Sequence, residues 1–408
     1  MKAVCIVTQS VYEMDPRVRR KAEALVDAGY SVDVLALRAA DADKRSVLGG
    51  VNVYTIGLGK KRGSLVRYAF EYLAFFMWAF VRVPLMMRRR HYSVVDVNTL
   101  PDFLVFAPVL AKWMGAKVVL DMHEITPEFY MSKYGIARES RTVRLLTWLE
   151  HISFDFADQV ITINEPILEL LVQRGLRRSK CTVVMNAVDE SQFRNLKKRS
   201  LVPGAPSGKF VMIYHGTLTP IYGLDVAVEA FAIAHEQMPE AELWILGSGT
   251  EEQVLASLAE RRGLSTKVRL IGRVPASDIP EWLEKADVGI LPIRQDVFLD
   301  YAFPNKLPEF IVAGKPVIIS RLRAIRHYFN EEALAFFEPN DASDLARQME
   351  RLYRDQGLCA RLVANATQQY APIRWDLMKE RYLRLVDGQR NPVVRAAASA
   401  AETTHVAR

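Results

Sequence analysis

The chain has 408 residues, half of them hydrophobic, and carries a formal net charge of +7. That length excludes a single ordinary hydrophobic core and predicts two domains of roughly 180 to 200 residues each. The charge is uneven, because residues 1–200 hold 30 Lys and Arg against 21 Asp and Glu, whereas the remainder holds 24 against 26. A basic first half indicates an anionic partner there, such as a membrane surface, a diphosphate or a nucleic acid, unless it serves solubility only.

The first residues, MKAVCIVTQS, contain an apolar run that is too short for a signal-peptide core. We therefore expect them to form the first β-strand. The three cysteines, Cys5, Cys181 and Cys359, lie far apart without metal-ligand spacing. This favours a reducing, intracellular compartment.

Short runs rich in Val and Ile then alternate with helical patterns. In the first half they are AVCIVT, SVDVLAL, SVVDVN, AKVVLDMH, QVITIN and CTVVMN, and in the second FVMIYHG, AELWILGSG, KVRLIG, ADVGILP, KPVIIS and LAFFE. Strands that are apolar on both faces and separated by helices predict parallel, doubly wound sheets. The expected fold class is α/β, with two Rossmann-like domains facing a cleft and ligands at the carboxyl ends of the strands.

Charge, Pro, Gly and Ser cluster at 196–209 and predict a linker. The predicted domains are therefore 1–195 and 210–375. A C-terminal helix is expected over 376–390, with a return to the N-terminal domain as one option, and a disordered tail over 391–408.

The run at 65–90 predicts a helix with an unusual surface. Its longest uncharged segment, Tyr72–Val81, is too short to cross a bilayer. At 100° per residue, Arg67, Glu71, Arg82 and Arg89 share one face and leave a broad aromatic and aliphatic face. This pattern is typical of a helix in a membrane interface, although Pro84 should kink it and a buried helix would look similar.

Polar side chains follow one buried strand in DMHEITPEF, where His123 and Glu124 stand at the strand end and are expected to face a cleft. The alternative is a buried, satisfied histidine. Signatures of P-loops, metal hydrolases and serine-type acyl transfer are absent from the sequence.

The stretch YAFPNKLPEFIVAGKPVIIS places a cation and a carboxylate in an apolar unit. Asn305 is a suitable N-cap, and Gly314 should stop the helix after Ala313. Lys306, Glu309 and the unpaired N–H groups would then face a ligand that carries phosphate and hydroxyls. The alternative is an ordinary capped helix with solvated charges.

These segments resemble a known family. HGTLTPIYGLDVAVEAF, LWILGSG, RLIGRVP, ADVGILP and FPNKLPEFIVAGKPVI, in this order, are similar to the C-terminal domain of family 4 retaining glycosyltransferases, which have the GT-B fold. DPRVRRKAEALVDAGYSVDVLAL and VVLDMHEITPEF resemble the N-terminal domain. The resemblance covers nearly all of residues 1–385.

The resemblance implies that the C-terminal domain binds a nucleotide-sugar as co-substrate, without another cofactor or a metal. Glu309 would hold ribose hydroxyls, and Lys306 with the helix start at Asn305 would neutralise the diphosphate. The other expected donor-binding residues are Gly216, Thr217, Arg273, Val274, Arg294 and Leu307. In the N-terminal domain, His123 and Glu124 would act in catalysis with Lys306, and the expected acceptor-binding residues are Asp15, Arg17 and Asn98.

The sequence also departs from the family pattern. Thr217 and Tyr222 stand where the family has Arg and Lys, and Tyr301 stands where it has the first Glu of a pair. Either Lys306, Arg294 and Arg273 substitute for the lost cations, or the chain is a weak or inactive relative.

The sequence therefore predicts a retaining glycosyltransferase in surface-glycan assembly, peripheral on the inner, cytoplasmic face of the plasma membrane. The expected partners are a nucleotide-diphosphate-sugar, a polyprenyl-linked or other lipid-linked acceptor and an anionic membrane surface. A nucleotide-sugar epimerase and a non-catalytic binding protein are the alternatives. Nucleic-acid binding is not expected, because the basic residues show no aromatic-interleaved motif.

Overall fold

The structure, a computed structural model, describes residues 2–40, 42–58, 65–193 and 209–389. The chain divides into two compact units: residues up to Asn186 together with the chain from Asp376 onward, and Ala187–Trp375. The predicted linker at 196–209, apart from Lys209, and the predicted tail at 391–408 lie outside the described residues.

The described part of the first unit is an eight-stranded sheet with helices. Its strands are β1 (Ala3–Val11), β2 (Ser31–Leu37), β3 (Arg45–Leu48), β4 (Val51–Ile56), β5 (Tyr92–Asn98), β6 (Lys117–Met122), β7 (Gln159–Thr162) and β8 (Cys181–Val183). The order is β3-β4-β2-β1-β5-β6-β7-β8, and all neighbours are parallel except β3 and β4. The helices are α1 (Pro16–Asp27), α2 (Leu65–Arg90), α3 (Val109–Trp113), α4 (Thr126–Tyr134), α5 (Arg141–Phe156), α6 (Glu165–Gln173) and the C-terminal α14 (Trp375–Val386).

The edge hairpin of β3 and β4 was not predicted. Gly49 and Gly50 join the two strands with φ of 56° and 78°. A two-residue turn with positive φ at both positions is the favoured connection of a hairpin, so the Gly-Gly pair was the available signal.

The second unit repeats the architecture with a fully parallel sheet in its described residues. Its strands are β9 (Phe210–His215), β10 (Ala241–Leu246), β11 (Val268–Gly272), β12 (Val288–Leu291), β13 (Val317–Ser320) and β14 (Ala335–Phe337), in the order β11-β10-β9-β12-β13-β14. Its helices are α7 (Leu224–Ala234), α8 (Glu252–Arg261), α9 (Ile279–Lys285), α10 (Lys306–Val312), α11 (Arg323–Tyr328), α12 (Ala342–Arg354) and α13 (Gln356–Tyr370). The expectation of two parallel, doubly wound α/β domains is confirmed.

Helix α2 lies differently from the prediction, although it exists and continues through Pro84. The expected charged face is not a separate polar surface, because Glu71 is only 8% exposed. It shares a stripe with four buried apolar residues, Phe75, Ala79, Val83 and Met87, and α2 packs against β1 and α3. The exposed stripe is apolar instead and consists of Leu73, Met77, Val81 and Leu85, at the i, i+4 spacing of one helix face.

By length and composition alone, Phe70–Arg90 is long and apolar enough to cross a membrane, although 33% of its apolar stretch is buried in the protein. Hydrophobic residues at every fourth position fix this helix to the sheet on one side. Its other side, with Leu73 and Met77, is exposed.

A buried cluster of charges holds α4, α5 and α6 together. The Arg174 guanidinium pairs with Glu128 and lies 3.2 Å from an oxygen of Glu150, and both carboxyls are nearly inaccessible. Burial raises the pKa of Glu150 to about 8, against the opposing charge of Arg174. The first unit thus binds a proton at neutral pH that an unfolded chain would release.

We expect the fold to become less stable as pH rises, because unfolding then releases this proton. The folded pKa of Glu150 lies above the usual carboxyl value, so its contribution to stability is complete near pH 4 and is lost as pH rises towards 8. Glu150→Gln should reduce the slope of the unfolding free energy against pH by up to the equivalent of one bound proton. The measurement is urea unfolding between pH 5 and 9. An equal pH slope in parent and variant would contradict the assignment, and Glu165→Gln on the more exposed α6 start is the control.

Candidate active site

Polar side chains meet at the carboxyl ends of β5 and β6 in the first unit. His123 is 3% exposed, and its Nε2–H donates to Asn98 Oδ1 at 2.7 Å. The Asn98 amide in turn donates to Asp96 Oδ1 at 3.4 Å, which fixes the amide orientation. Because Nε2 carries the proton, Nδ1 is the acceptor of a neutral imidazole, and it has no hydrogen-bond partner in the described part of the chain.

The charge around His123 favours the neutral form. Burial, followed by the charges of Lys21 and Arg17, holds the pKa of His123 well below its usual value. Asp121 lies 3.5 Å from Nε2, but its carboxylate pairs with Lys21. A neutral histidine with a free, buried Nδ1 can accept a hydrogen bond or a proton from a hydroxyl group.

This hydrogen-bond network continues from Asp96 to the C-terminal helix α14. The Tyr382 hydroxyl on α14 donates to Asp96 Oδ2 at 2.6 Å. Burial and the neighbouring charge of Asp121 raise the pKa of Asp96 to about 7. Sequence reasoning missed Lys21, Asp96 and Tyr382, since a hydrogen bond between residues 286 positions apart leaves no local pattern.

The predicted acceptor residues Asp15 and Arg17 bind each other. Asp15 caps α1 by accepting from the Arg17 backbone N–H at 3.2 Å, as expected. The Arg17 side chain then forks onto both Asp15 oxygens at 3.0 and 3.1 Å. Burial opposes ionisation of Asp15, but Arg17 outweighs it and lowers the pKa of Asp15 to about 2.

Glu124 is half-buried beside this pair, and burial raises its pKa. The structure therefore brings His123 and Asn98 into direct contact. It also pairs the Arg17 guanidinium with a carboxylate, so this side chain is not simply solvated.

In the second unit, Lys306 lies between two tyrosine rings. Its Nζ is 4.3 Å from the ring centre of Tyr222 and 5.3 Å from that of Tyr214. A Cβ on Gly216 would stand 2.1 Å from the Lys306 Cε, and Gly216 has φ of 132°, so this position requires glycine. Burial lowers the pKa of Lys306 to about 8, with Glu309 acting in the opposite direction.

Tyr222 thus has a role of its own, whereas the sequence indicated only that a cation is missing at this position. An aromatic face attracts an ammonium group, and the attraction strengthens when the group is shielded from water. Tyr222 therefore stabilises the ammonium group of Lys306.

Glu309 lies one turn along α10 and contacts a histidine that was not predicted. His215 Nε2 is 3.2 Å from Glu309 Oε2, without hydrogen-bond geometry. Burial and the charge of Lys306 lower the pKa of His215 to about 3, so the contact is not an ion pair at neutral pH. The signal for His215 was its place at the end of the apolar strand FVMIYH.

Arg294, expected as a donor-binding cation, already has partners within the second unit. Its guanidinium binds Asp225 at 2.6 Å, the Pro220 carbonyl at 2.9 Å and Asn340 at 2.8 Å. These bonds tie the loop before α7 to the rest of the unit. Arg294 therefore has a structural role, and its contact with the donor diphosphate stays a prediction.

The remaining predicted donor-binding residues differ in exposure and in their contacts. Arg273 is exposed just after β11, next to the half-buried Val274, whereas Leu307 is fully buried. Thr217 is exposed, and its carbonyl accepts from the Tyr214 hydroxyl at 2.9 Å. Asn305 is the N-cap residue of α10, as predicted, but its side chain makes no capping hydrogen bond.

Tyr301 and Asp300 do not present a free carboxylate in place of the missing glutamate. The Arg323 side chain donates to the Tyr301 hydroxyl at 3.2 Å, and the Arg323 backbone N–H donates to Asp300 at 2.9 Å. Within the described ranges, no group of three or more His, Cys, Asp or Glu side chains is arranged as a metal site.

Comparison with known proteins agrees with this two-part arrangement. Residues 197–369 match the family described as glycosyl transferases group 1, and residues 14–187 match the glycosyl transferase 4-like domain. Mannosylfructose-phosphate synthase of Agrobacterium fabrum is 27% identical over 59% of this chain, which spans only 55% of that protein. N,N'-diacetylbacillosaminyl-diphospho-undecaprenol alpha-1,3-N-acetylgalactosaminyltransferase of Campylobacter jejuni is 26% identical, over 69% of this chain and 73% of its own.

Solved structures show the same fold. Sucrose-phosphate synthase of Thermosynechococcus elongatus has a TM-score of 0.75 at 18% identity and covers 95% of this chain and 99% of its own. Anabaena HepE in complex with UDP-glucose has a TM-score of 0.66 at 16% identity, over 95% and 100%. The two family matches cover most of the sequence, and the chain belongs to the group 1, family 4-type glycosyltransferases with the GT-B fold.

Proposed function

We propose that this protein is a retaining glycosyltransferase that moves a sugar from a nucleotide-diphosphate-sugar to a lipid-linked acceptor during surface-glycan assembly. The observation that carries the proposal is the half-buried Lys306 between Tyr214 and Tyr222, with Glu309 one turn away. Lys306, with Arg273 as the second cation, would neutralise the charge that grows on the leaving diphosphate, in place of a metal ion. Glu309 would accept hydrogen bonds from ribose hydroxyls.

The acceptor side rests on His123. A neutral imidazole with an available Nδ1 suits contact with a hydroxyl of the donor sugar or the acceptor. The undecaprenol-linked substrate named for the Campylobacter relative and the UDP-glucose bound to HepE support the choice of substrate classes. Retention follows the family.

The test is product analysis with purified protein. A screen of nucleotide-sugars by thermal shift should identify a donor, since a ligand at 100 times its dissociation constant stabilises by about 2.7 kcal/mol. Incubation with that donor and a polyprenyl-diphosphate sugar should then give a lengthened lipid-linked glycan whose new linkage keeps the donor's anomeric configuration. An inverted linkage would contradict retention, and conversion of the donor without any acceptor would show an epimerase.

A non-catalytic nucleotide-sugar-binding protein is the second candidate, favoured by Thr217 and Tyr222 and by the engaged Arg294. Tight donor binding without turnover on any acceptor would support it.

We also propose that the enzyme works at the cytoplasmic face of an anionic membrane, with the exposed stripe of α2 against the lipid. Exposure of four large apolar residues on one helix face is unfavourable in water and stabilising in a bilayer interface. Arg88 and Arg89 are exposed at the end of the helix and would add up to about 1 kcal/mol each near anionic headgroups.

Leu73→Ser combined with Met77→Ser should release the protein from anionic liposomes while its melting temperature stays nearly constant. Both side chains are about half exposed, so little packing is lost. Binding by the parent should weaken with salt without vanishing, because only the cationic part is screened. Phe75→Ser is the opposite control and should unfold the protein, since Phe75 is fully buried; liposome binding by the double variant equal to that of the parent would refute the surface.

A further inference from the structure

An apolar groove runs between α2 and α3 in the first unit. Its volume is about 470 Å³, and its lining residues are Phe80, Val81, Pro84, Leu85, Arg88, Leu110, Trp113 and Met114. Seven of these eight are hydrophobic or proline. A volume of this size lies in the range of about 300 to 1,000 Å³ typical of small-molecule sites, which are mostly apolar with few polar groups.

The walls of the groove are unusually exposed for apolar side chains. Trp113 is 79% exposed, and Val81 and Leu85 are about half exposed. The neighbouring Lys112 does not shield them, because its ammonium is held by Asp158 and the Phe156 carbonyl. A contiguous apolar patch of this kind on a folded domain indicates a ligand or partner that covers it.

The groove carries a positive charge at one end. Arg88 is its only charged lining residue, and it is exposed at the C-terminal end of α2 with Arg89 beside it. Among the described residues, Arg88 has no carboxylate, hydrogen-bond or ring partner. An apolar channel that ends at an unpaired guanidinium is complementary to a molecule with a hydrocarbon chain and an anionic head, because arginine binds phosphate in a bidentate manner.

We infer that this groove binds the hydrocarbon chain of one prenyl phosphate lipid, with the phosphate on Arg88. This inference rests on the proposed function for the class of lipid, since an enzyme that uses lipid-linked acceptors works among prenyl chains. The groove shares Val81, Leu85 and Arg88 with the membrane-facing surface, but a groove between two helices holds a single chain rather than the surface of a bilayer. Arg88 lies just before β5, at the amino edge of the sheet, whereas His123 follows β6 at the carboxyl edge, so this site would hold a carrier lipid at the membrane rather than present its sugar to His123.

The test uses farnesyl phosphate at concentrations where it is monomeric, so that no bilayer is present, with binding measured by calorimetry. We expect the full-length protein to bind it, and to bind farnesol at least about tenfold more weakly. Inorganic phosphate should not bind measurably. Arg88→Gln should weaken farnesyl phosphate on the order of tenfold, the loss typical of a charge-assisted bond.

Two further variants separate the groove from the fold. Leu110→Trp fills the groove, and Trp113→Ser removes its most exposed wall without disturbing the core; each should weaken binding at least tenfold. Val47→Ser, an exposed apolar position on β3, is the matched control and should bind like the parent. Affinity for the donor found in the nucleotide-sugar screen should be unchanged in all four variants, and absence of binding to every nucleotide-sugar by the parent would refute the proposed function instead.

Three results would overturn the inference. They are equal binding of farnesyl phosphate by parent, Leu110→Trp and Trp113→Ser, equal affinity for inorganic phosphate, and concentration-dependent dimerisation that Trp113→Ser abolishes. The last result would mean that a second copy of the chain covers this face.

Discussion

Replacing Lys306 by methionine is expected to weaken binding of the donor's nucleoside diphosphate, with the UDP named for HepE as the probe, about 10- to 100-fold. The substitution keeps the length of the side chain and removes the ammonium, whose bond to a diphosphate oxygen contributes on the order of 1.5 to 3 kcal/mol. Isothermal calorimetry of parent and variant measures the change. Lys285→Met, at an exposed lysine on α9, is the matched control and should bind UDP like the parent.

The same lysine makes a pH-dependent prediction. Because the pKa of Lys306 is about 8 in the free protein, a bound diphosphate should raise it by favouring the charged form. UDP affinity should therefore be level below pH 7 and fall as pH rises past 8, and Lys306→Met should lose this dependence. Unchanged affinity in Lys306→Met at every pH would remove Lys306 from the donor site.

Tyr222 provides a finer test of that arrangement. Tyr222→Leu should weaken UDP binding less than Lys306→Met does, because it removes the aromatic partner and leaves the ammonium. Tyr222→Phe keeps the ring and should stay close to the parent. An equal loss in Tyr222→Phe and Tyr222→Leu would show that the hydroxyl, rather than the ring, matters.

Replacing His123 by alanine is expected to lower turnover on the order of 100-fold or more while UDP affinity changes less than twofold. Loss of a positioned proton acceptor acts on the chemical step rather than on donor binding. The measurement is kcat on the donor and acceptor pair identified by product analysis, with donor affinity measured separately. His151→Ala, at a half-exposed histidine on α5, is the control.

Asn98→Leu tests how His123 is held. The variant removes the acceptor of the Nε2–H bond, so the imidazole can take either tautomer and Nδ1 is no longer reserved for substrate. We expect an intermediate loss of turnover. Turnover of His123→Ala within twofold of the parent would leave the histidine with a structural role only.

Much of the fold could be read from local pattern. Each run of Val and Ile proposed as a strand is a strand, since residues buried on both faces of a parallel sheet must be apolar along their whole length. The start of α1 was equally readable, because Asp15 before Pro16 is a local capping signal and the cap is present. The family followed from motifs in the order in which they occur, above all FPNKLPEF.

Side-chain partners were decided by the tertiary structure alone. Arg294 looked like a free cation in sequence and is bound by Asp225 and Asn340, while Tyr222 looked like a lost cation and supports Lys306. On α2, periodicity predicted one broad apolar face, and only the structure shows that the part with Phe75 and Ala79 is buried whereas the part with Leu73 and Met77 is exposed. Hydrophobic period and capping depend on neighbours within a few positions, whereas the partner of a charged or aromatic group comes from whichever distant segment packs beside it, as Tyr382 does on Asp96.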